Sequence, residues 1–270
     1  MIHWAEKFYP AALMLLRIVA GFLFWQHGAQ KLLGWFGGEP EPFFSLLWFA
    51  GVLESLGGSL IALGLFTRPV ALVLVGELLA TYFIANLPQG FWPIRNRGEV
   101  ALLFAFIYFH LVAAGPGKFC VDGLLSSKFT LQNLFSRFTP VTLPILRIAT
   151  GVLFWQHGAQ KMFGMLGGRP VEAIELRWFA GILEFFGGPL IALGLFTRPV
   201  AFLLSGEMAT AFWISHVPRG PGFWPIQNAG ERAVLFCFIY LFLVTAGAGK
   251  WSLDALRLRK LAIREDSGIQ

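Results

Sequence analysis

The sequence predicts an all-α, polytopic membrane protein in which eight transmembrane helices form two parallel four-helix repeats. Three observations predict this fold class: an apolar composition, an internal repeat, and apolar runs of nearly constant length. Of the 270 residues, 56% are hydrophobic and only 13% are charged, with a mean hydropathy of +0.66. A soluble domain usually carries about 25% charged residues. The composition therefore excludes an ordinary soluble domain.

The internal repeat appears when the sequence is displaced by 130 residues. Identity is 15 of 22 between residues 17–38 and 147–168, and 20 of 24 between residues 48–71 and 178–201. A two-residue insertion at Pro221 and Gly222 increases the displacement to 132 for the rest of the repeat. The chain therefore consists of two copies of one unit.

Each copy contains four apolar runs, close to the roughly 20 residues that a transmembrane helix needs. An even number of spans gives both copies the same sense through the bilayer, so they are expected to be parallel repeats related by an axis along the membrane normal. We therefore expect a monomer that resembles a fused homodimer. The runs cover residues 11–33, 48–66, 70–88, 98–114, 141–163, 178–196, 200–218 and 230–246.

The predicted domains are residues 1–115 and 141–249, one four-helix repeat each. A linker, 116–140, contains a predicted interfacial amphipathic helix around LLSSKFTLQNLFSRF, and residues 250–270 form a basic amphipathic tail. The first apolar run is too long for a signal peptide and is expected to be a retained span. Eleven Lys and Arg on the side of the termini, against eight opposite, favour an inner-membrane protein with both termini in the cytoplasm.

Ionisable residues inside apolar spans are costly and therefore mark candidate functional sites. The stretch LFWQHGAQK occurs twice and places a histidine and a lysine on one helix face, four residues apart. The predicted topology brings these groups to the outer half of the membrane, with one glutamate of each copy at mid-depth. We expect each half to enclose a polar pocket walled by aromatic residues and open to the outer leaflet, with tryptophans such as Trp25, Trp48 and Trp92 around its level. The ionisable members are His27, Lys31, Glu54, Glu77 and Glu99, and in the second half His157, Lys161, Glu184, Glu207 and Glu231.

Structural interpretations of the same residues stay open. Tryptophans at span ends are typical of an interfacial belt, and Lys31 and Lys161 are expected to snorkel to the interface. The pairs Gly57-Gly58 and Gly187-Gly188 favour close helix packing. Arg17 and Arg147 fit anchoring in head groups or pairing with a carboxylate, and the buried glutamates and histidines could serve only to hold helices together.

Several function classes are disfavoured. The net charge of +6 fits membrane-facing loops, and no basic stripe interleaved with aromatic residues predicts nucleic-acid binding. Cys120 and Cys237 occupy unmatched positions and form no CxxC, which argues against a disulfide or zinc site. No HxxxH or ExxH spacing predicts a bound metal, and no nucleotide-binding loop or nucleophile elbow is present.

At these motifs the sequence resembles the DoxX family of four-span membrane proteins. The resemblance rests on LRIVAGFLFWQHGAQKLLG, the FAGVLESLGGSLIALGLFTRPVA block, Glu77 and NRGEVALLF, and it recurs in the second half. It implies a kinship to the quinone-linked, thiosulfate-oxidising subunit for which the family is named, and to proteins linked to oxidative stress and quinone resistance. His27, Glu54, Glu77, Asn96 and Glu99, with their second-half equivalents, match recurrent polar positions of the family.

The leading hypothesis is a membrane oxidoreductase or redox-complex subunit that binds a quinone or similar hydrophobic molecule. Its electrons would pass to a partner protein or be carried by the quinone alone. The alternatives are a transporter or channel for a proton, cation or small solute, and a structural assembly partner. The predicted proton-handling residues are Glu54, Glu77, Glu184, Glu207, His27 and His157. The predicted ligand-binding residues are Trp25, Gln30, Trp92, Asn96, Glu99, Trp155, Gln160, Trp224, Asn228 and Glu231.

Overall fold

The computed structural model describes residues 3–124 and 135–267, and their regular secondary structure is entirely helical. This confirms the all-α class, and every predicted apolar run coincides with a helix. The predicted linker helix falls mainly on residues 125–134, which lie outside the described ranges. The main helices are α1 Tyr9–Leu33, α2 Leu46–Leu63, α3 Thr67–Thr81, α4 Glu99–Ala114, α5 Thr139–Phe163, α6 Leu176–Leu193, α7 Thr197–Ala211, α8 Glu231–Ala246 and α9 Leu253–Ser267.

The helix bounds repeat along the chain. Helices α5, α6 and α7 begin 130 residues after α1, α2 and α3, and α8 begins 132 residues after α4. Helix α3 continues into a π-helical turn at Tyr82–Asn86, and α7 continues into one at Phe212–His216. The local structure therefore follows the sequence repeat, including the change of displacement at the insertion.

Four helical segments in the described part of the chain are long and apolar enough to cross a membrane: Tyr9–Leu33, Leu46–Leu63, Thr67–Gln89 and Leu176–Leu193. Helix α4 is apolar but shorter. Large apolar side chains project outward from α3 and α7, for example Leu72, Phe202 and Leu203, each more than half exposed. Such a continuous apolar exterior suits contact with lipid and would be unfavourable in water.

Close approach of α1 to α2 depends on glycine. A Cβ atom at Gly58 would lie 2.6 Å from the carbonyl oxygen of Gly21, and Gly188 stands in the same relation to Gly151 at 2.7 Å. Small residues let helix backbones meet in this way where packing alone drives association. The prediction that the paired glycines serve helix packing is confirmed.

Helices α4 and α8 occupy the centre of the molecule. Helix α4 packs against α3 of its own half and against α5 of the other half, while α8 packs against α7 and α1. Their side chains are buried on most faces, including Ile107, Tyr108 and Tyr240, which are fully buried. The fourth helix of each half therefore joins the two halves, and its first residue meets the first helix of the opposite half.

Arg17 and Arg147 differ from both sequence interpretations, because they are buried in the protein and pair with no carboxylate of the described residues. Both side chains are buried, at 1% and 0% exposure. The guanidinium of Arg17 donates to the carbonyl oxygens of Ile61, at 3.1 Å, and Phe119, at 2.7 Å. Carbonyls at a helix C-terminus lack intrahelical donors. Each arginine therefore caps the end of α2 or α6 and ties it to the segment that follows the fourth helix.

Candidate functional site

Each candidate site begins with a lysine and a glutamate from neighbouring helices. The Lys31 ammonium donates to Oε1 of Glu54, and the Lys161 ammonium donates to Oε1 of Glu184 at 2.5 Å. Only 25% and 23% of the two lysine side chains are exposed, and the carboxylates are buried. A buried carboxylate on the next helix therefore holds each ammonium group, and the expectation that these lysines snorkel to the interface stays a prediction.

The histidines form pairs between the two halves of the chain. Nε2 of His27 lies 2.7 Å from Oε1 of Glu231, and Nε2 of His157 lies 2.6 Å from Oε1 of Glu99. We expected each half to enclose a site of its own, with His27 beside Glu99. The structure corrects this expectation, because α4 and α8 pack against the first helix of the opposite half.

One basic residue, Arg232, lies beside the His157–Glu99 pair, and it has no basic counterpart in the first half. Nη1 of Arg232 lies 3.4 Å from Oε2 of Glu99, which therefore contacts both a histidine and an arginine. The position equivalent to Arg232 in the first half is Val100. The two sites are thus similar in architecture but different in charge.

Glu77 and Glu207 lie in the middle of α3 and α7, below the paired groups. Oε2 of Glu77 and both carboxyl oxygens of Glu207 are buried without a hydrogen-bond partner in the described residues. Buried polar atoms in proteins are nearly always hydrogen-bonded. A ligand, a water molecule or a bound cation would supply the missing partner.

A cavity of about 680 Å³ opens at the second-half site. His157, Lys161, Glu184 and Glu207 contribute polar groups to its wall. Sites for small molecules usually measure about 300–1,000 Å³ and combine apolar walls with a few polar groups. The apolar wall consists of Ile94, Phe154, Leu176, Phe179, Ala180, Leu183, Leu203, Met208, Ala211, Ile214, Ala233 and Phe236.

Phenylalanines, rather than the predicted tryptophans, form the aromatic part of this wall. Trp155 contacts Phe185 instead, at 6.1 Å between ring centroids, and Trp92 contacts Phe91 at 5.3 Å. In the first half, Trp25 stacks on Phe22 at 5.7 Å. None of Trp92, Trp155 and Trp224 is part of the cavity wall.

The loops that precede α4 and α8 also cross to the opposite half. Trp224 lies 5.4 Å from Phe36 and 6.1 Å from Phe22, measured between ring centroids. The backbone N–H of Ile94 donates to Oε1 of Gln156 at 3.3 Å. Trp224, which was predicted to lie over the pocket of the second half, therefore packs against the first half.

Asn96 and Asn228 use their side chains inside these loops. The Asn96 amide donates to the carbonyl oxygen of Gly90 at 2.6 Å, and its Oδ1 accepts from the N–H of Gly98 at 2.8 Å. Asn228 makes the corresponding contacts with Gly222 and Gly230. The geometry gives both residues a structural role in fixing the start of the fourth helix.

The two glutamines of the second LFWQHGAQK motif, Gln156 and Gln160, differ in their surroundings. Gln160 lines the cavity and donates to the carbonyl oxygen of Leu166 at 3.2 Å. Gln156, which the sequence did not single out, is buried and contacts the loop of the first half. The first copy of the motif has Gln26 at the same position, and this repetition could have marked Gln156 as a candidate site residue.

The exposed apolar side chains and the four helical segments long and apolar enough to cross a bilayer, in the described part of the chain, are typical of a membrane protein. The chain belongs to the DoxX family, whose family model matches residues 12–87 and 142–217, once in each half. This confirms the resemblance drawn from the motifs.

Each of the individual relatives aligns with less than half of the length of this chain. An uncharacterized protein of Haemophilus influenzae is 39% identical over 128 residues, which cover 96% of it and 46% of this chain. An uncharacterized membrane protein of Mycobacterium tuberculosis is 32% identical over 139 residues, covering 85% of it and 46% of this chain. A Bacillus subtilis protein named "Putative oxidoreductase CatD" is 28% identical over 123 residues, covering 89% of it and 43% of this chain. No solved structure matches the chain.

Proposed function

We propose that the chain is a multi-pass inner-membrane protein in which eight helices cross the bilayer as two parallel repeats, with both termini in the cytoplasm. The matching helix bounds and the reciprocal His–Glu contacts support the repeat. The Lys and Arg distribution supports the orientation. Residues 1–115 and 141–249 would then be the two units, joined by residues 116–140 and followed by the tail 250–270.

We further propose that the two sites bind a small hydrophobic molecule of the quinone class, and that the protein acts as an oxidoreductase or as a subunit of a redox complex. One arrangement carries this proposal: a His–Glu pair and a Lys–Glu pair lie beside a buried glutamate whose oxygens lack partners among the described residues, and phenylalanines line the same cavity. The name of the Bacillus subtilis relative gives it secondary support.

The side chains of the second-half site suit both states of such a ligand. Lys161 and His157 can donate hydrogen bonds to a quinone oxygen, while the rings of Phe154 and Phe236 give its ring an apolar surface. Oxidation of a hydroquinone releases protons together with electrons. Glu207 and the His157–Glu99 pair would accept the protons, and the electrons would pass to a partner redox protein.

Extraction of the full chain in mild detergent, followed by mass spectrometry of the bound small molecules, tests this proposal. We expect a co-purified quinone whose amount falls in Glu77→Gln or Glu207→Gln. Glu172→Gln is the control, because Glu172 is exposed on the loop before α6 and does not line the cavity. Absence of quinone from the wild-type protein, or retention in both variants, would contradict the proposal.

A second candidate is transport of a proton, cation or small solute. It is favoured by the unpartnered carboxyl oxygens of Glu77 and Glu207 in the middle of their helices. Such carboxylates are typical of ion and proton pathways. Solute or proton flux in liposomes that depends on Glu77 and Glu207, with no bound quinone, would support transport. Loss of stability alone in both variants would instead support a structural role.

A further inference from the structure

The second-half cavity has a basic rim that the first half lacks. Four arginines line this cavity, and we call them the arginine rim: Arg169, Arg177, Arg219 and Arg232. The equivalent first-half residues carry no positive charge: Glu39, Leu47, Gln89 and Val100. Each of these four differences makes the second copy more positively charged than the first.

The whole set of charged groups shows the same difference. Five basic and three acidic side chains belong to the second-half site: Lys161 and the arginine rim against Glu99, Glu184 and Glu207. At the equivalent first-half positions there are one basic and four acidic side chains: Lys31 against Glu39, Glu54, Glu77 and Glu231. The formal charges of the two sites, histidines aside, are opposite in sign.

Most of the arginine rim has no anion to neutralise it. Within residues 3–124 and 135–267, Arg169, Arg177 and Arg219 have no acidic group within 4.0 Å. Glu172 and Glu175 are exposed on the same loop as Arg169, and they neither line the cavity nor pair with these arginines. Arg169, Arg177 and Arg219 are exposed, so their guanidinium groups are accessible to an anionic ligand, which they can bind by charge-assisted hydrogen bonds.

The cavity also has an apolar side that reaches the outer surface of the bundle. Leu183, Leu203 and Ile214 line it while remaining 40%, 58% and 57% exposed. On the membrane-facing helices α6 and α7, exposed side chains of this kind provide contact with an alkyl chain. The cavity thus joins an anion-attracting rim to a lipid-facing wall.

We propose that the arginine rim of the second-half cavity binds an amphiphile with an anionic head group, a carboxylate or a phosphate, in addition to the quinone-class ligand proposed above for both sites. The head group is held by the arginine rim, and the apolar body lies against α6 and α7. This inference does not rest on the proposed function. The statement about the second-half cavity stands on its charge and shape.

Native mass spectrometry of the full chain in nanodiscs tests the proposal. The probes are phosphatidylglycerol and palmitate as anionic amphiphiles, phosphatidylcholine as a lipid without net charge, and inorganic phosphate as an anion without an apolar body. We expect the wild-type chain to retain the anionic amphiphiles at least about tenfold more strongly than phosphatidylcholine. Arg177→Leu with Arg219→Gln, which introduces the first-half residues, should abolish this preference.

Arg259→Gln with Lys260→Gln is the matched control, because it removes the same charge from the exposed tail helix. The reverse exchange, Leu47→Arg with Gln89→Arg, should create a second retained anionic amphiphile. Equal retention of phosphatidylglycerol and phosphatidylcholine, or an equal loss in the tail control, would overturn the proposal. If inorganic phosphate bound as tightly as the amphiphiles, the proposed contact of the apolar body with α6 and α7 would be overturned. Co-purified quinone and its dependence on Glu77 form a separate readout that tests the proposed function.

Discussion

Oε1 of Glu99 lies 2.6 Å from Nε2 of His157, although the two residues belong to different copies of the repeat. The equivalent contact of the repeat joins Oε1 of Glu231 to Nε2 of His27 at 2.7 Å. Each candidate site is therefore completed by the opposite half, through the first residue of α4 or α8. Separation of the halves would remove one member of each His–Glu pair.

A double-mutant cycle on Glu99 and His157 should reveal this cross-half pairing. We expect a coupling free energy of about 1.5–3 kcal/mol between Glu99→Ala and His157→Ala, since hydrogen bonds to charged groups contribute about this much. Unfolding in detergent micelles measures it. The control is His157→Ala with Glu231→Ala, whose effects should add because Glu231 contacts His27 instead. Coupling between Glu231 and His157, together with additive effects of Glu99→Ala and His157→Ala, would contradict the assigned pairing.

Removal of Lys161 should cost more than removal of the whole ion pair. Lys161→Met leaves the buried Glu184 carboxylate without its cation, and we expect a loss of about 3–5 kcal/mol in the free energy of unfolding. Lys161→Met combined with Glu184→Leu should be less destabilising, because no uncompensated charge stays buried. Thermal unfolding of both variants in the same detergent gives the comparison. A double variant less stable than the single one would argue against a buried pair.

Replacement of the capping arginines by lysine should destabilise the protein unequally. Arg147 donates to carbonyl oxygens of Ile191, Ala192, Ala248 and Trp251, whereas Arg17 donates to those of Ile61 and Phe119. A lysine cannot reproduce the planar fork of donors. We expect Arg147→Lys to lower the free energy of unfolding by about 2 kcal/mol or more.

Arg17→Lys should have the smaller effect in the same unfolding measurement. Equal or reversed effects of the two substitutions would show that the number of capped carbonyls does not determine stability. Arg259→Lys is a neutral reference, because that side chain is exposed on the tail helix.

Gly58→Ala should separate α1 from α2. The new methyl group would meet the backbone of Gly21 and Trp25, each 2.6 Å from the Cβ position, and backbone atoms cannot move aside cheaply. We expect a loss of about 1–3 kcal/mol. Gly76→Ala is the matched control on α3, where nothing lies within 4 Å, and should be neutral or stabilising by roughly 0.5–1 kcal/mol. The melting temperatures of the two variants test this contrast.

Much of the local structure could be predicted from the sequence because helix formation depends on neighbouring residues. Apolar runs, with the proline and glycine residues between them, gave each helix to within a few residues. The family followed from motifs that recur in order, and the family model confirms it. The side-chain partners of Lys31 and Arg17 could not be obtained in this way, since burial and the contacts of neighbouring helices decide whether a long cationic side chain reaches water or turns inward.

By itself, the sequence determined the repeat, the helices and the set of ionisable residues that the candidate sites contain. Only the tertiary structure decided which copy supplies each partner. The two copies are so similar that Glu99 could pair equally well with His27 or His157 by sequence. The packing of α4 against α5 determines that Glu99 pairs with His157, because it places the start of the fourth helix beside the first helix of the opposite half. The contact joins residues far apart in the chain, and local sequence preferences carry no information about it.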